Sequence, residues 1–357
     1  MRKLLFIDLR YHEKTGSAQF LIDLLKTRYR VEIQRDDLWQ TYAGLSRINR
    51  ERYDAILFWQ VKPFIAARYF DCQNIIFFPM FDSHGELDTL RIGELPQLGV
   101  ISFCSALHKK LSGIPNDRLC IKYYPKPLVS RGDELAGNGL FFWQRGSDVT
   151  WRTVRRIIGE CPELGGVHLH RSVDPGASWQ APTSEEEQAY HISYSDWFQT
   201  KEDYLTELAR NALYVAPRSR EGIGMSFLEA LAMAKGVLAH DGPTMNEYIV
   251  HGENGYLFDC ANPKPVDLGE LNRIRRSALE SVYEGWLAWE QDEFRIIDFL
   301  EARMRDRREP RASAKLSIRR KNIAYATIRI FRLLKKSIRW LGRRTLFIWT
   351  TRDLGGK

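Results

Sequence analysis

Two glutamates flank a glycine-containing turn in the segment between residues 216 and 236. Glu221 precedes the sequence Gly222-Ile-Gly224, and Glu229 follows eight residues after Glu221. Glycine lets a backbone approach a ligand closely, and the free N–H groups at the start of a helix bind phosphate. Carboxylates on either side can accept hydrogen bonds from sugar hydroxyls. This set of groups suits a diphosphate that carries a sugar at each end.

The hydrophobic pattern predicts the elements that position these groups. The apolar run 212–216 is predicted to be a strand, and residues 217–221 form the loop that follows it. A helix predicted over 226–234 places Glu229 about one turn inside it. The positive end of that helix favours an anion, and Arg218 and Arg220 add positive charge beside it.

A purely structural role for Glu229 competes with ligand binding. Ser226-x-x-Glu229 is also a capping box, in which Glu229 only stabilises the start of the helix. The Gly222-Ile-Gly224 turn is weak evidence of a site when it is taken alone. The combination of this turn with Glu221 and the spacing of the two carboxylates is much more specific.

Short apolar runs alternate with helical stretches in two successive series, which is typical of parallel α/β domains. Between the two series, the segment 126–139 contains Pro127 and three glycines and has little apolar content, as expected of a linker. We therefore predict a first domain over 1–126, a linker over 127–139, a second domain over 140–304 and a tail over 305–357. Ligands of such folds bind in the crevice at the carboxyl ends of the strands. A single long helix is predicted over 277–303.

Composition excludes several classes of protein. Of the 357 residues 44% are apolar, which is enough for sizeable cores. The net charge of +8 comes from the tail, since residues 311–357 hold 14 Lys and Arg against one acid, and the rest carries −5. A nucleic-acid-binding body is therefore not expected. The five cysteines lack a C-x-x-C pair, and no leader or spanning segment is evident, so we expect a cytoplasmic protein.

The central motif resembles that of a known family. The pattern Pro217-x-x-x-Glu221-Gly-x-Gly-x-x-x-Leu-Glu229-Ala-x-Ala-x-x-x-Gly236 is similar to the E-x7-E signature of retaining glycosyltransferases of the group 1, family 4 type. The sequences Asn246-Glu247-Tyr-Ile and His251-Gly-Glu-Asn-Gly255-Tyr-Leu-Phe match the segment that follows in that family. The resemblance extends over about 190–259, with weaker similarity over 105–125. It implies the GT-B fold, an α/β architecture with two Rossmann-like domains facing a cleft.

The resemblance also implies roles for individual residues. Glu221 would contact hydroxyls of the transferred sugar, and Glu229 would bind the ribose. The backbone of Gly222, Ile223, Gly224, Met225 and Ser226 would bind the sugar and the diphosphate. Gly16 matches the glycine-rich loop of the first domain, although one glycine stands where two adjacent ones are usual.

Two further features of the family are matched in part. The arginine that neutralises the diphosphate corresponds to Arg145, but the usual lysine position is Thr150, for which Arg152 or Arg218 could substitute. A loop of the first domain often supplies a histidine to the donor sugar. His84 and the nearby Asp82 fit that loop, and His12 is the alternative. A surface histidine and a helix-capping Asp82 are the structural alternatives.

The tail has the composition of a membrane-binding helix. Residues 311–345 contain 12 basic side chains and no acid, and on a helix the apolar residues gather on the face opposite the basic ones. Trp340, Phe347 and Trp349 suit a membrane interface. We expect residues 311–349 to lie on an anionic membrane surface. A helix packed on the protein body and a contact with RNA are the alternatives.

These inferences converge on a hexosyltransferase on the inner face of the cell membrane. It would move a sugar from a nucleotide-diphosphate sugar to a lipid-linked glycan or a growing surface polysaccharide. The resemblance implies no metal and no cofactor, since positive side chains and helix dipoles stabilise the leaving diphosphate, and no nucleic-acid partner is expected. The alternatives are a phosphorylase or epimerase on the same scaffold and a non-catalytic glycan-binding protein. Lys235 does not fit a phosphorylase cofactor site, and the presence of both glutamates argues against a non-catalytic scaffold.

Overall fold

We describe the fold from a computed structural model of the chain. The structure describes residues 1–36, 48, 50–64, 67, 70–159, 164–174 and 176–305. The membrane-binding tail predicted for residues 311–349 lies outside this range.

The first part of the chain forms a parallel sheet. Its strands run in the order β2-β1-β3-β4-β5-β6. The strands are β1 (Lys3–Leu9), β2 (Arg30–Asp36), β3 (Ala55–Trp59), β4 (Ile75–Phe78), β5 (Leu98–Ser102) and β6 (Arg118–Cys120). The described helices between them are α1 (His12–Thr15), α2 (Gln19–Lys26), α3 (Glu86–Gly93) and α4 (Ser105–Lys110).

The second part repeats this architecture with the strand order β12-β11-β10-β7-β8-β9. Its strands are β7 (Gly139–Trp143), β8 (Val167–His170), β9 (Ile192–Ser195), β10 (Asn211–Val215), β11 (Gly236–His240) and β12 (Tyr256–Phe258). Its helices are α5 (Trp151–Ile158), α6 (Ser184–Ala189), α7 (Lys201–Ala209), α8 (Met225–Ala232), α9 (Leu271–Asp292) and α10 (Phe294–Arg305), with a 3₁₀ turn at Met245–Glu247.

Several central strands of the two sheets are buried along their whole length. Every residue of β3, β4, β5 and β10 is buried. Strands covered by helices on both faces read as continuous apolar runs rather than as alternating patterns. This burial explains why the α/β class could be predicted from the sequence, and the prediction of two Rossmann-like domains is confirmed.

The C-terminal helices differ from the prediction. The helix expected over 277–303 is two helices, α9 and α10, which are separated at Glu293. The second of them packs on the first domain, where Glu301 accepts a hydrogen bond from the hydroxyl of Tyr29 at 2.9 Å. Near the end of α9, the Trp289 ring lies 5.6 Å from that of Phe20. The break in the helix turns the chain back towards the first sheet, which a hydrophobic pattern with helical period does not reveal.

No helix among residues 1–305 that the structure describes is both long and apolar enough to cross a membrane.

Candidate active site

The carboxyl ends of four strands meet across the cleft between the two sheets. Tyr11 follows β1 and accepts a hydrogen bond at 3.1 Å from Arg145, which follows β7. Asp82 follows β4, and its Oδ2 lies 3.8 Å from Nη1 of Arg218, which follows β10. Side chains from both domains therefore border one site, at the place that the strand order predicts.

Two guanidinium groups converge on one carboxylate at the centre of this site. Oδ1 of Asp174 lies 2.7 Å from Nε and 2.6 Å from Nη2 of Arg145. The other oxygen of Asp174 is paired with Arg218. Such forked contacts are the geometry in which arginine also binds phosphate. The pair thus presents two positive charges at a separation that a single anionic group can bridge.

This arrangement decides which residue accompanies Arg145. Arg152 is exposed at the start of α5, where its charge acts on Glu186 in α6. The position that is usually lysine, Thr150, is the N-cap of α5. Of the two substitutes that the sequence suggested, Arg218 reaches the site and Arg152 does not.

Glu221 lies in the same electrostatic environment. Burial among the surrounding protein atoms raises the pKa of its carboxyl group from 4.5 to about 7, and Arg218 opposes the shift. Asp82 and Asp174 raise this pKa further, whereas Arg145 lowers it. A carboxyl group with such a pKa exchanges a proton near neutrality, and groups of this kind occur often at functional sites.

The second carboxyl group of the cleft, Asp82, is also poorly hydrated. Burial raises the pKa of Asp82, while Arg218 and His12 act in the opposite direction. Its Oδ1 is buried without a hydrogen-bond partner. A buried carboxylate oxygen that lacks a donor can accept a hydrogen bond from a ligand hydroxyl.

The two glycines of the turn are required for different reasons. Gly224 has a φ of +81° and is the N-cap of α8, and a Cβ there would lie 1.9 Å from the Phe227 ring. Gly222 contacts the other domain, since a Cβ at this position would lie 2.9 Å from both Cβ and Sδ of Met80. Gly224 therefore shapes the start of α8, and Gly222 lets the two domains approach each other.

The start of α8 directly follows the Glu221 loop in the sequence. The helix begins at Met225, one residue earlier than predicted, and no side chain caps it. The Ile223 side chain is buried, and those of Met225 and Ser226 are half-buried. The first N–H groups of a helix have no partner within it. They are available to an anion here, because the N-cap glycine has no side chain that could accept from them.

The capping-box interpretation of Glu229 is wrong. Ser226 lies inside α8 rather than at its N-cap. Oε1 of Glu229 instead lies 2.6 Å from Nζ of Lys201, the first residue of α7. Lys201 is largely exposed, so this pair is open to solvent on one side. Glu229 is therefore not needed to start the helix, and its carboxylate can bind a ligand.

The two histidine candidates have different surroundings. Nε2 of His84 lies 2.8 Å from Oγ1 of Thr89 in α3, so the ring contacts its own domain. Burial lowers the pKa of His84. His12 lies 2.5 Å from Oδ1 of the fully buried Asp8, and its charge acts on Asp82. Of the two histidines, only His12 is among the groups that act on the pKa of Asp82.

Gly16 ends the short helix α1 in the loop after β1. It has a φ of +62°, and a Cβ at this position would meet nothing within 4 Å. Its N–H donates to the carbonyl of His12 at 2.9 Å. Open space next to a left-handed glycine leaves room for a ligand.

Sequence reasoning missed several residues of the site. Asp174 and Tyr11 contact Arg145, and Asp148 anchors the loop by accepting from the backbone N–H of Ser219 at 2.6 Å. Asp174 follows β8 closely, as the other site residues follow their strands, and that placement was the only signal for it. Contacts between residues so distant in sequence carry no local pattern.

Two other predictions concern metal and cofactor sites. In the described part of the chain, no cluster of three or more His, Cys, Asp or Glu side chains has the arrangement of a metal site. Lys235 is 2% exposed, and its Nζ donates to the carbonyls of Ala136 and Ala209. Lys235 therefore connects the linker at Ala136 to the end of α7 at Ala209.

Comparison with known proteins agrees with this architecture. Residues 185–267 match the family model described as glycosyl transferases group 1. No curated protein is significantly similar in sequence. Among solved structures, Anabaena HepE in complex with UDP and glucose is 14% identical with a TM-score of 0.60, and the match covers 84% of this chain and 100% of that one.

Other solved structures share the fold. Sucrose-phosphate synthase from Thermosynechococcus elongatus is 11% identical with a TM-score of 0.59, and 85% of this chain and 100% of that chain are covered. Staphylococcus aureus TarM is 13% identical with a TM-score of 0.55, over 72% of this chain and 57% of the other. The two parallel sheets thus give this chain the GT-B fold, and its segment 185–267, which contains the Glu221 loop and α8, is similar to group 1 glycosyl transferases.

Proposed function

We propose that this enzyme transfers a sugar from a nucleotide-diphosphate sugar to a lipid-linked glycan or a growing surface polysaccharide, with retention of the anomeric configuration. This proposal rests on the convergence of Arg145 and Arg218 on the carboxylate of Asp174. The pair lies beside Glu221, which precedes the start of α8. HepE, a structural neighbour, has been solved with UDP and with UDP-glucose.

The donor would span the cleft from Glu229 to Glu221. The guanidinium groups of Arg145 and Arg218 and the free N–H groups of α8 would bind the diphosphate. Glu229 would accept hydrogen bonds from the ribose hydroxyls, and Glu221 would do so from the transferred sugar. Gly222 permits the close approach of Met80 from the first domain, which narrows the cleft around the sugar.

The reaction exchanges one bond to the anomeric carbon for another. The bond from this carbon to the diphosphate oxygen breaks, and the electron pair leaves with the diphosphate. The acceptor hydroxyl forms the new bond from the same face, and its proton passes to the leaving phosphate oxygen. The two arginines and the helix dipole would stabilise the charge that develops on the diphosphate. Asp82 and Glu221 would orient the hydroxyls of the sugar, and His12 is one of the groups that lower the pKa of Asp82.

The acceptor and the location are proposed from the tail. Its 12 basic side chains between residues 311 and 345 would bind anionic lipid headgroups. Each basic residue near such a surface adds about 1 kcal/mol of attraction. A protein bound to the inner face of the membrane in this way meets lipid-linked acceptors directly.

A thermal-shift screen with UDP-, GDP-, ADP- and dTDP-sugars tests the donor. A ligand at one hundred times its dissociation constant stabilises the folded state by about 2.7 kcal/mol. We expect one nucleotide class to raise the melting temperature in the wild-type protein and not in the Arg145→Ala, Arg218→Ala double variant. If no nucleotide sugar shifts the wild-type melting temperature, the proposed donor site is refuted.

A further inference from the structure

One carboxylate of the second domain binds backbone groups of the first. Oε2 of Glu247 accepts a hydrogen bond from the N–H of Ser105 at 2.7 Å, and Oε1 accepts from the N–H of Ala106 at 2.9 Å. The Cys104 thiol donates to Oε1 at 3.2 Å. These three donors lie directly after β5, at the start of α4. Glu247 therefore accepts hydrogen bonds from backbone groups that belong to the other domain.

The same short segment holds the donor-binding loop at its other end. Thr244 is completely buried, and its hydroxyl donates to the carbonyl of Glu221 at 2.7 Å. The carbonyl of Gly222 lies 3.2 Å from the same hydroxyl. The 3₁₀ turn links the two ends, since the N–H of Glu247 donates to the carbonyl of Thr244 at 3.0 Å. One hydrogen-bonded turn thus contacts the first domain and the Glu221 loop together.

Further contacts keep this turn in place. The ammonium group of Lys122 donates to the Glu247 carbonyl and lies 4.4 Å from the ring centroid of Tyr248. Lys122 lies just after β6, the last strand of the first sheet. The turn is therefore connected to the first domain at the point where the chain leaves that domain for the second.

We propose that Glu247 is a positioning residue that fixes the first domain against the 3₁₀ turn and, through Thr244, sets the backbone of Glu221 and Gly222 for donor binding. This inference rests on the proposed function, because it assumes that this backbone binds the donor. Glu247 itself would not contact the donor.

The physical reason lies in the cost of losing the carboxylate. Hydrogen bonds to a charged acceptor are about twice as strong as neutral ones. Glu247→Ala leaves the N–H groups of Ser105 and Ala106 without their acceptor, whereas Glu247→Gln keeps one acceptor oxygen. The glutamine variant should therefore restore part of what the alanine variant loses.

The chain offers a second way to break the same contact. Ser105 is the first residue of α4, a position where proline is tolerated because its N–H would have no helical partner. Cys104 before it is extended, with φ −128° and ψ 123°, as a residue before proline requires. Ser105→Pro thus removes one donor to Glu247 without ending the helix. Glu253→Ala, on an exposed turn of the same domain, is the matched control for charge removal.

Hydrogen exchange of the full-length protein tests the coupling without a ligand. Glu247→Ala should speed exchange in peptides that cover Ser105–Ala106 and also in peptides that cover residues 219–226. Thr244→Val should speed exchange only over 219–226, and Glu253→Ala should change neither. If Glu247→Ala affects the first region but leaves 219–226 as in the wild type, Glu247 only caps α4 and the inference is wrong.

Binding of UDP-glucose measures the functional consequence. We expect Glu247→Ala to weaken binding about tenfold, as for the loss of a hydrogen bond to a charged group, and Glu247→Gln to weaken it by less. The double variant Ser105→Pro, Glu247→Ala should be no weaker than Glu247→Ala alone. Unchanged affinity in Glu247→Ala would overturn the inference.

The two proposals fail in different ways. If wild-type protein binds none of the four nucleotide sugars, the proposed function fails, while the exchange data still decide whether Glu247 and the Glu221 loop are coupled. If the wild type binds UDP-glucose and the variants bind it equally well, only the role of Glu247 fails.

Discussion

At the scale of single residues, the ionised form of Glu221 carries a cost to stability, and we propose that this residue also contacts the transferred sugar. Its pKa rises from 4.5 to about 7 on folding because burial disfavours the charged form. Between these values the folded state binds more protons than the unfolded state, so the stability contributed by this group falls as the pH rises. A shift of this size corresponds to a cost on the order of 3 kcal/mol above pH 7. The pKa of Glu221 also depends on four neighbouring charges, those of Arg218, Arg145, Asp82 and Asp174.

We predict that Glu221→Gln gains stability relative to the wild type as the pH increases from 5 to 8, while sugar transfer is lost. The amide cannot ionise, so it avoids the cost that the carboxylate has above pH 7. Melting temperatures of both proteins across this pH range provide the measurement. Glu253→Gln, on an exposed turn, is the control. Its melting temperature should differ from that of the wild type by the same amount at every pH. A pH-independent difference for Glu221→Gln would contradict the raised pKa.

Glu229 should respond differently to the same kind of substitution. Its partner Lys201 is largely exposed, and such ion pairs contribute about 0–1 kcal/mol. We therefore expect Glu229→Gln to melt close to the wild type and to bind the donor about tenfold to a hundredfold more weakly, because a charged acceptor for the ribose is lost. Calorimetric titration with the selected nucleotide sugar measures this. Lys201→Met is the control and should keep the donor affinity of the wild type. A low melting temperature with normal donor affinity in Glu229→Gln would instead indicate a structural role for Glu229.

At the scale of elements, the turn between β10 and α8 is the part of the site with the strictest steric demands. Gly224 needs its positive φ, and Gly222 lies against Met80 of the other domain. These two requirements act on different parts of the molecule. The first shapes the helix start at which we propose that the diphosphate binds, and the second sets how closely the domains approach.

We predict that Gly222→Ala reduces donor affinity more than it reduces the stability of the second domain. The added Cβ would meet Met80 at 2.9 Å, so the domains have to move apart or the Met80 side chain has to shift. Gly132→Ala in the linker, where a Cβ meets nothing within 4 Å, is the matched control. Donor titration and thermal melting of both variants separate the effects. Recovery of affinity in Gly222→Ala, Met80→Ala would confirm that the contact with Met80 is responsible, and its absence would contradict this explanation.

At the scale of the whole molecule, the separation of charge along the chain has its own consequence. Residues 1–310 carry a net charge of −5, whereas 311–357 carry +13. We predict that a chain truncated after Glu309 no longer sediments with anionic vesicles and still binds the nucleotide sugar. Salt should weaken vesicle binding of the full chain, because the attraction is electrostatic. Equal vesicle binding by the full and truncated chains would remove the membrane proposal.

The amino-acid sequence by itself determined the α/β class, the succession of two sheets, and the presence of two glutamates around a glycine turn before a helix. These features depend on local periodicity and residue type, which a linear pattern records. Tertiary structure alone decided that Arg218, rather than Arg152, accompanies Arg145, and that Glu229 pairs with Lys201 instead of capping α8. It also decided the raised pKa of Glu221 and the contact of Glu247 with the first domain. The reason is that these contacts join residues far apart in sequence, and only the packing of one domain against the other brings them together.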